Sequence, residues 1–237
     1  MNMKKAVLFT LTIIAITLSS CQKPRAFSGR TITQDRQIDT NYVAVTASGS
    51  FDVYFVNDED YAIRIVCGEN RMKYIKTHVE NGTLFVTEKS HNIIGGGENK
   101  IYINKSYLER YRNEGSGNMT GSFAHSPYFD VENSGSGNMD IQCNTDDHTY
   151  VSIDGSGNIN LSGSTQTFSA HINGSGNIDG FSLNSTDANA NINGSGSIYV
   201  NVTESLLVDI SGSGDVVYIG NPSITTNITG SGQVRPY

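Results

Sequence analysis

The chain has 237 residues, of which 37% are hydrophobic and 16% charged, with 25 Gly, 4 Pro and no Trp. This length suits one all-β domain or two small ones, and low charge with many glycines favours short strands and tight turns over a helical enzyme. The formal charge of −7 makes the phosphate backbone of nucleic acid an unfavourable partner.

The N-terminus has the pattern of a bacterial export signal. Residues 1–5 are basic, and residues 6–16 form an apolar run of about eleven residues, which is too short to span a bilayer but matches the hydrophobic region of a signal peptide. Leu18-Ser19-Ser20-Cys21 follows and resembles the lipobox of bacterial lipoproteins. We therefore predict a signal peptide over residues 1–20 and lipid attachment at Cys21, the alternative being a plain secretory signal with an incidental cysteine.

The residues after Cys21 bear on localisation. Gln22 stands where an aspartate would retain a lipoprotein in the inner membrane, so we expect an outer-membrane anchor in the cell envelope. The run Gln22-Lys23-Pro24-Arg25 lacks the acids that can mark export to the cell surface, which leaves the periplasmic and surface faces both open. Residues 21–36 are polar without periodicity and are predicted to be a lipidated tether.

The front half, residues 37–114, contains irregular strand candidates. Ser48-Gly49-Ser50 resembles a degenerate corner before a strand-like run to residue 55, and further candidates lie at 61–66, 83–87 and 100–104. Residues 69–79 could hold a short helix with Met72, Ile75 and Val79 on one face, while residues 91–99 predict a surface loop. We expect this half to supply about three broad coils and a cap, because an open end would expose core and unpaired strand edges.

The second half, residues 115–237, contains seven Gly-Ser-Gly triplets spaced by 18 to 20 residues. A period this regular is typical of a solenoid. The predicted corner glycines are Gly115, Gly117, Gly135, Gly137, Gly155, Gly157, Gly174, Gly176, Gly194, Gly196, Gly212, Gly214, Gly230 and Gly232.

Apolar residues recur at fixed offsets from these corners. The fourth residue after each first glycine is Met119, Met139, Ile159, Ile178, Ile198, Val216 or Val234. Ile also stands two residues before each of the last five triplets. Because strand side chains alternate between faces, each repeat reads as strand, corner, strand and return turn. Stacked repeats then form one narrow core, and glycine suits the corner because it accepts positive φ and leaves room for the next coil.

Asparagines follow four of the triplets. At one strand spacing, Asn118, Asn138, Asn158 and Asn177 can form an Asn ladder in which each amide bonds the next. Asn113 and Asn133 interrupt the inward Ile column and are interpreted as an internal Asn pair.

The chain as a whole resembles the head GIN domain family, whose members are named auto-transporter adhesins. The matching segments include Phe51-Asp52-Val53-Tyr54-Phe55, Asn81-Gly82-Thr83-Leu84-Phe85-Val86 and the Gly-Ser-Gly series. The resemblance implies a right-handed parallel β-helix over residues 37–237 with a polar exterior and no established catalytic residues.

Candidate chemical groups are sparse. Asp140 and Asp179 would stand two coils apart, roughly 10 Å, which approaches the carboxylate separation of inverting glycosidases, but solvated aspartates on a polar wall are the favoured interpretation. Asp146-Asp147-His148 is the only local cluster that merits a metal assay. Cys67 and Cys143 fall in register with inward residues and predict buried thiols. We therefore predict no catalytic residues, no metal and no cofactor.

The function predicted from these features is an envelope-anchored binding or adhesion module that contacts a glycan or an envelope protein through its polar walls. The alternative is a periplasmic structural or regulatory protein without a glycan ligand, and a remote alternative is a polysaccharide-cleaving enzyme. The lipid anchor makes the membrane a partner, while the oligomeric state is not indicated by the sequence.

Overall fold

The computed structural model describes residues 25–26, 30–57, 59–89, 93–94 and 97–237. The predicted signal peptide and the lipid-attachment residue Cys21 lie outside the described residues. The described chain is almost entirely strand and forms a parallel β-solenoid of about six turns, which confirms the predicted fold class. Among these residues no helix has the length and apolar composition needed to cross a membrane.

Up to residue 104, the described chain contains nine strands and one short helix. The helix, α1, is Glu69–Met72. The strands are β1 Arg25–Ala26, β2 Thr31–Arg36, β3 Ala44–Ser48, β4 Asp52–Val56, β5 Ile63–Gly68, β6 Ile75–Glu80, β7 Thr83–Glu88, β8 Ile93–Ile94 and β9 Asn99–Asn104.

From Arg110 onward, the chain contains ten strands, of which four run through a whole turn of the solenoid. They are β10 Arg110–Asn113, β11 Met119–Ser122, β12 Ser126–Asn133, β13 Met139–Ile153, β14 Ile159–Gly174, β15 Ile178–Gly194, β16 Ile198–Gly212, β17 Val216–Ile219, β18 Ser223–Gly230 and β19 Val234–Pro236.

The solenoid has two walls that meet at the Gly-Ser-Gly corners. We call the wall whose strands lead into a corner the first wall, and the wall whose strands leave a corner the second wall. Each long strand from β13 to β16 leaves a corner along the second wall and returns along the first wall to the next corner. From β10 to β19 every pairing between coils is parallel.

The core consists of aligned columns of apolar side chains. On the second wall, Met119 pairs with Met139, and the column continues through Ile159, Ile178 and Ile198. All five side chains are at most 1% exposed. Burying each such side chain stabilises the fold by roughly 1.5–3 kcal/mol. Because the column gains one such side chain in each coil, every repeat adds to the stability of the core.

The internal Asn pair lies inside this core. Asn113 and Asn133 are buried, and Nδ2 of Asn113 donates to Oδ1 of Asn133 over 3.1 Å. The Nδ2 of Asn133 also donates to the carbonyl of Gly137 over 2.7 Å. These bonds satisfy polar groups that would otherwise destabilise the interior.

The front coils do not stack in chain order. The coil made of β7 and β9 lies beneath the coil made of β3 and β4, and the first regular coil, made of β10 and β11, lies above it. Strands β2, β5 and β6 close this end through antiparallel pairings. The parallel edge that the coils would leave open is thereby covered.

Two predictions, one for the tether and one for the front half, need correction. Residues 31–36, expected to belong to the tether, form β2, because they pair with β5 along its whole length. The predicted helix over 69–79 is limited to Glu69–Met72, and Ile75–Glu80 is a strand. Asn81 and Gly82 have φ of 48° and 71°, as a type I′ hairpin turn requires, so they join β6 to β7. The helical spacing of Met72, Ile75 and Val79 led to the prediction of a helix where the structure has this hairpin.

The predicted loop at 91–99 is described only in part. Ile93–Ile94 forms a two-residue parallel pairing with Arg25–Ala26, and Asn99 already belongs to β9. Except for this short pairing, all described strand pairing lies within residues 31–237. Residues 22–237 therefore contain all of the described strands and all of the described core residues.

A candidate binding wall

The corners are fixed by close approach between backbones. A Cβ built on any of the fourteen triplet glycines would lie well under 3.0 Å from a carbonyl of the coil beneath. Positive φ occurs at only three of them, Gly194, Gly212 and Gly230. The main physical requirement for glycine is thus the absence of a side chain, which lets successive corners stack and holds the two walls in register.

The four asparagines that follow the corners form a column along the second wall. The backbone N–H of Asn138 donates to Oδ1 of Asn118 over 3.0 Å, and the backbone N–H of Asn158 donates to Oδ1 of Asn138 over 2.9 Å. The N–H of Asn177 makes the same bond to Asn158 over 3.0 Å. The ladder therefore links side chains mainly to backbone, with added amide–amide bonds at Asn158 and Asn177.

Asp52 extends the ladder into the front half. Its Oδ1 accepts hydrogen bonds from both the backbone N–H and Nδ2 of Asn118, over 2.9 and 3.0 Å. At the other end, the N–H of Ser197 donates to Oδ1 of Asn177 over 2.8 Å. The sequence did not reveal Asp52, because no Gly-Ser-Gly triplet precedes it.

A groove of about 520 Å³ lies beside this ladder. Its lining residues offer amides, a carboxylate and one aromatic ring to solvent: Asn138, Asn158, Asn160, Asn177, Asp179 and Tyr199. Amides both donate and accept hydrogen bonds, whereas a carboxylate accepts them. This combination suits a ligand that carries many hydroxyl groups.

The outward column of the second wall continues this surface in both directions. Thr120, Asp140, Asn160, Asp179 and Tyr199 are successive partners in it.

Beyond Thr120 the column continues to Tyr54 and Tyr102, whose rings stack with centroids 5.3 Å apart. From Tyr102 to Tyr199 there are six strand spacings, or about 29 Å. Beyond Tyr199 the same register continues to Val217 and Arg235. We call the part from Tyr102 to Tyr199, which has aromatic rings at both ends and polar groups between them, the binding column.

An aromatic cluster lies at the Tyr199 end of the binding column. The ring of Phe181 contacts those of Tyr199 and Tyr237 edge-on, with centroids 5.2 and 5.0 Å apart. Sequence periodicity missed Phe181, because the strand register shifts between Gly180 and Asn184. Only the folded chain brings this ring to the cluster.

The two aspartates that were considered as a glycosidase pair, and interpreted as solvated, do not face each other. Asp140 and Asp179 are exposed, and both belong to the binding column, separated by Asn160. In the described ranges no group of three or more His, Cys, Asp or Glu side chains could hold a metal ion. Asp146, from the predicted local cluster, contacts His125 over 2.7 Å, and both side chains are exposed.

Cys67 and Cys143 are free and buried. Burial raises the pKa of both thiols, that of Cys143 to about 11. A thiol whose pKa is raised is a poor nucleophile at neutral pH, so both cysteines act as small apolar residues of the core.

The regular coils are strongly acidic. Residues 115–237 contain eleven Asp and Glu side chains against a single base, Arg235, which gives −10, whereas residues 1–114 carry fifteen bases and twelve acids, or +3. The part of the binding column from Thr120 to Tyr199 therefore lies in a negative field that repels polyanions.

Comparisons with known proteins agree with this geometry. A family model described as "Putative auto-transporter adhesin, head GIN domain" matches residues 41–222. A crystal structure of a putative adhesin from Bacteroides fragilis NCTC 9343 is 27% identical, with a TM-score of 0.83, over 90% of this chain and 100% of that chain. A search of curated proteins finds no match.

Two further crystal structures share the fold. A putative adhesin from Parabacteroides merdae ATCC 43184 is 23% identical, with a TM-score of 0.70, over 90% of this chain and 98% of that chain. A protein named as a putative lipid binding protein from Parabacteroides distasonis ATCC 8503 is 24% identical, with a TM-score of 0.65, over 91% and 100%.

Proposed function

Since this chain belongs to the head GIN domain family of auto-transporter adhesins, we propose that it is an adhesion module of the cell envelope that binds neutral glycans along the binding column. The observation that carries this proposal is the sequence of groups on one flat wall: aromatic rings at Tyr54 and Tyr199 with amides and carboxylates between them. Sugar rings stack on aromatic faces and their hydroxyl groups bond amides and carboxylates.

The charge of the coils selects among glycans. With −10 on residues 115–237, a uronic acid or sulfated polymer approaches against repulsion, whereas a neutral chain does not. An extended neutral glycan lying parallel to the solenoid axis can contact the column over its length of about 29 Å.

A glycan array probed with residues 22–237 tests this proposal. We expect signal on neutral glycans and none on sulfated or uronic acid polymers. Tyr199→Ala should weaken the best ligand roughly three- to tenfold, because one aromatic contact is lost. The matched control is Tyr150→Ala, a half-exposed tyrosine on the first wall. No ligand above background, or equal losses in both variants, would remove the proposal.

The attachment to the envelope is part of the proposal. Cys21 carries the lipid and anchors the protein in the outer membrane, where several acyl chains give stable binding. Labelled palmitate should enter the wild-type chain and be absent after Cys21→Ala. Label that persists in the variant contradicts the anchor.

The competing function is a periplasmic structural or regulatory role without a glycan ligand. The absence of an acid in Gln22-Lys23-Pro24-Arg25 favours it, because surface display then lacks its signal. Protease treatment of intact cells separates the two functions: degradation supports adhesion at the surface, and protection supports the periplasmic role.

The family and two of the structural relatives are named as adhesins, and a third is named as a lipid binding protein; we propose that this chain is not catalytic. Asp140 and Asp179 stand in one column with Asn160 between them, and Asp179 lines the groove whereas Asp140 does not, so the two carboxylates do not flank one shared site as a glycosidase requires. Turnover of a polysaccharide that is lost on Asp179→Asn would overturn this conclusion.

A further inference from the structure

The front end of the solenoid carries an open cleft of about 740 Å³ between β2 and β6. It lies at the same end as Tyr102 of the binding column, because β2 pairs with β5 and β5 pairs with β9. Its apolar lining consists of Ile32, Ile38, Met72 and Ile75. Met72 and Ile75 belong to the core, and Ile32 and Ile38 are partly buried and pack against it. The cleft therefore has an apolar floor that is continuous with the core of the front end.

Arg36 lies across this opening. Its Nη1 donates to the carbonyl of Ile75 and to Oγ1 of Thr77 over 3.0 and 3.1 Å, and its Nε and Nη2 donate to Oε1 of Gln34. A further contact joins Nη2 to the thioether of Met72 over 3.9 Å, and sulfur is a weak acceptor.

Arg36 has no carboxylate partner among the described residues. Within them, the hydrogen bonds of its side chain run to uncharged acceptors, and no ion pair includes it. A half-buried guanidinium without a carboxylate favours an incoming anion, because the anion restores the interactions that burial removed.

The rim of the cleft adds positive charge. Lys73 and Lys76 are exposed there, and Glu69 is the single acid among the lining residues. With Arg36, the cleft carries three bases and one acid, which contrasts with the −10 of residues 115–237. The molecule is therefore electrically polar, and a negatively charged surface would attract its front end.

The chain also approaches this end from its N-terminus. Strand β2, which forms one side of the cleft, begins at Thr31, ten residues after Cys21. Ten residues reach at most roughly 35 Å, so an anchor at Cys21 would keep the cleft close to the membrane.

We propose that this front cleft is a lipid-binding site that docks on an anionic bilayer, with the acidic head of a phospholipid on Arg36, Lys73 and Lys76 and its acyl chain against Ile38 and Met72. The site requires neither glycan binding nor lipidation of Cys21. Its effect is to hold the solenoid upright on the membrane, with the acidic coils directed away from it.

Vesicle co-sedimentation of residues 22–237 tests the site, with phosphatidylcholine vesicles that contain or lack phosphatidylglycerol. We expect binding only to the anionic vesicles. The double variant Lys73→Gln, Lys76→Gln removes two exposed bases and should weaken binding about fivefold for each. Arg235→Gln removes the base at the opposite end and is the matched control, which should bind as the wild type does.

A fluorescence measurement separates acyl insertion from simple surface attraction. The chain has no tryptophan, so Ile38→Trp places a unique reporter in the cleft, and Leu207→Trp places one at an exposed position on the acidic coils. Phospholipids with brominated acyl chains should quench the first reporter and not the second.

Equal binding to neutral and anionic vesicles, equal losses for the lysine pair and Arg235→Gln, or no quenching of the reporter at position 38 would each overturn the proposal. Because Arg36 also bridges β2 and β6, Arg36→Lys is the appropriate variant at that position. It keeps the charge and should retain binding to anionic vesicles.

Discussion

Replacing Gly157 by alanine tests the physical basis of the corners. A Cβ at this position would lie 2.0 Å from the carbonyl oxygen of Gly137 and 2.5 Å from Nδ2 of Asn133, whereas ordinary contact begins at 3.4 Å. The two coils must therefore separate by more than 1 Å locally, roughly a quarter of the strand spacing of about 4.8 Å.

The expected cost follows from this displacement. Overpacking of a tight site costs about 1–3 kcal/mol, and the shift weakens the bond from Nδ2 of Asn133 to the Gly137 carbonyl, which adds about 1 kcal/mol. We expect the free energy of unfolding to fall by about 3 kcal/mol, or about 6–12 °C in Tm for a chain of this size.

Gly68→Ala is the matched control. Nothing lies within 4 Å of a Cβ at Gly68, and its φ of −60° suits any residue. Alanine there should change the free energy of unfolding by less than about 0.5 kcal/mol, because the gain from restricting the unfolded chain is offset by the loss of a favoured N-cap residue of α1. Gly157→Ala should therefore be clearly less stable than Gly68→Ala in urea unfolding followed by circular dichroism. A Gly157→Ala variant within about 0.5 kcal/mol of wild type would refute the close-approach explanation.

Three further predictions concern the ladder, the buried ion pair and the core thiol. Asn138→Ala removes the oxygen that accepts hydrogen bonds from the backbone N–H and Nδ2 of Asn158 and should lower the free energy of unfolding in urea by about 1 kcal/mol. Asn138→Asp keeps an acceptor and is the control. An equal loss of stability in both variants would contradict the ladder. Arg71 and Glu88 form an ion pair with Nε and Oε1 2.6 Å apart and side chains 10% and 3% exposed, so Arg71→Met should cost about 3–5 kcal/mol. Adding Glu88→Leu should recover part of that loss, and a double variant no more stable than the single one would argue against an uncompensated buried charge. The pKa of Cys143 is raised to about 11. Below the ordinary pKa of a thiol, Cys143 is protonated in both the folded and the unfolded chain, and its contribution to the free energy of unfolding is complete. As the pH rises towards 11, the thiol ionises first in the unfolded chain, so this contribution is lost. We expect a loss of about 1 kcal/mol by about pH 9.5, measured as a change in urea midpoint that is smaller in Cys143→Val; an identical pH dependence in that variant would exclude the thiol as its source.

The regular coils could be predicted from the sequence because their information is local and repeated. A triplet every 18 to 20 residues fixes where each corner lies, and alternation fixes which side chains point inward. When Met139, Ile159 and Ile178 recur at one offset, a single stacking rule places all of them in one column. The Asn column follows from the same rule, since Asn138 and Asn158 occupy one position of successive repeats.

Other features depend on contacts between segments that share no period. The coil of β7 and β9 lies beneath that of β3 and β4, and no local pattern encodes this order. Likewise, Asp52 reaches Asn118 across 66 residues of sequence, and Phe181 joins the aromatic cluster only because the strand register shifts beside it. The Asn81-Gly82 dipeptide is a hairpin signal in the sequence. The helical spacing of Met72, Ile75 and Val79 favoured a helix over the same segment, so the sequence pattern was ambiguous there.

The sequence by itself thus determined the solenoid, its period, its corners and its inward columns, because each coil repeats the same short-range constraints on backbone and side chain. Only the tertiary structure decided how the front end closes and which outward groups share a surface. Antiparallel closure by β2, β5 and β6 arises because the first coils must cover an edge that the repeat leaves open. The position of Arg36 in the cleft follows from that closure, since its bonds to Ile75 and Thr77 form only when β2 and β6 face each other.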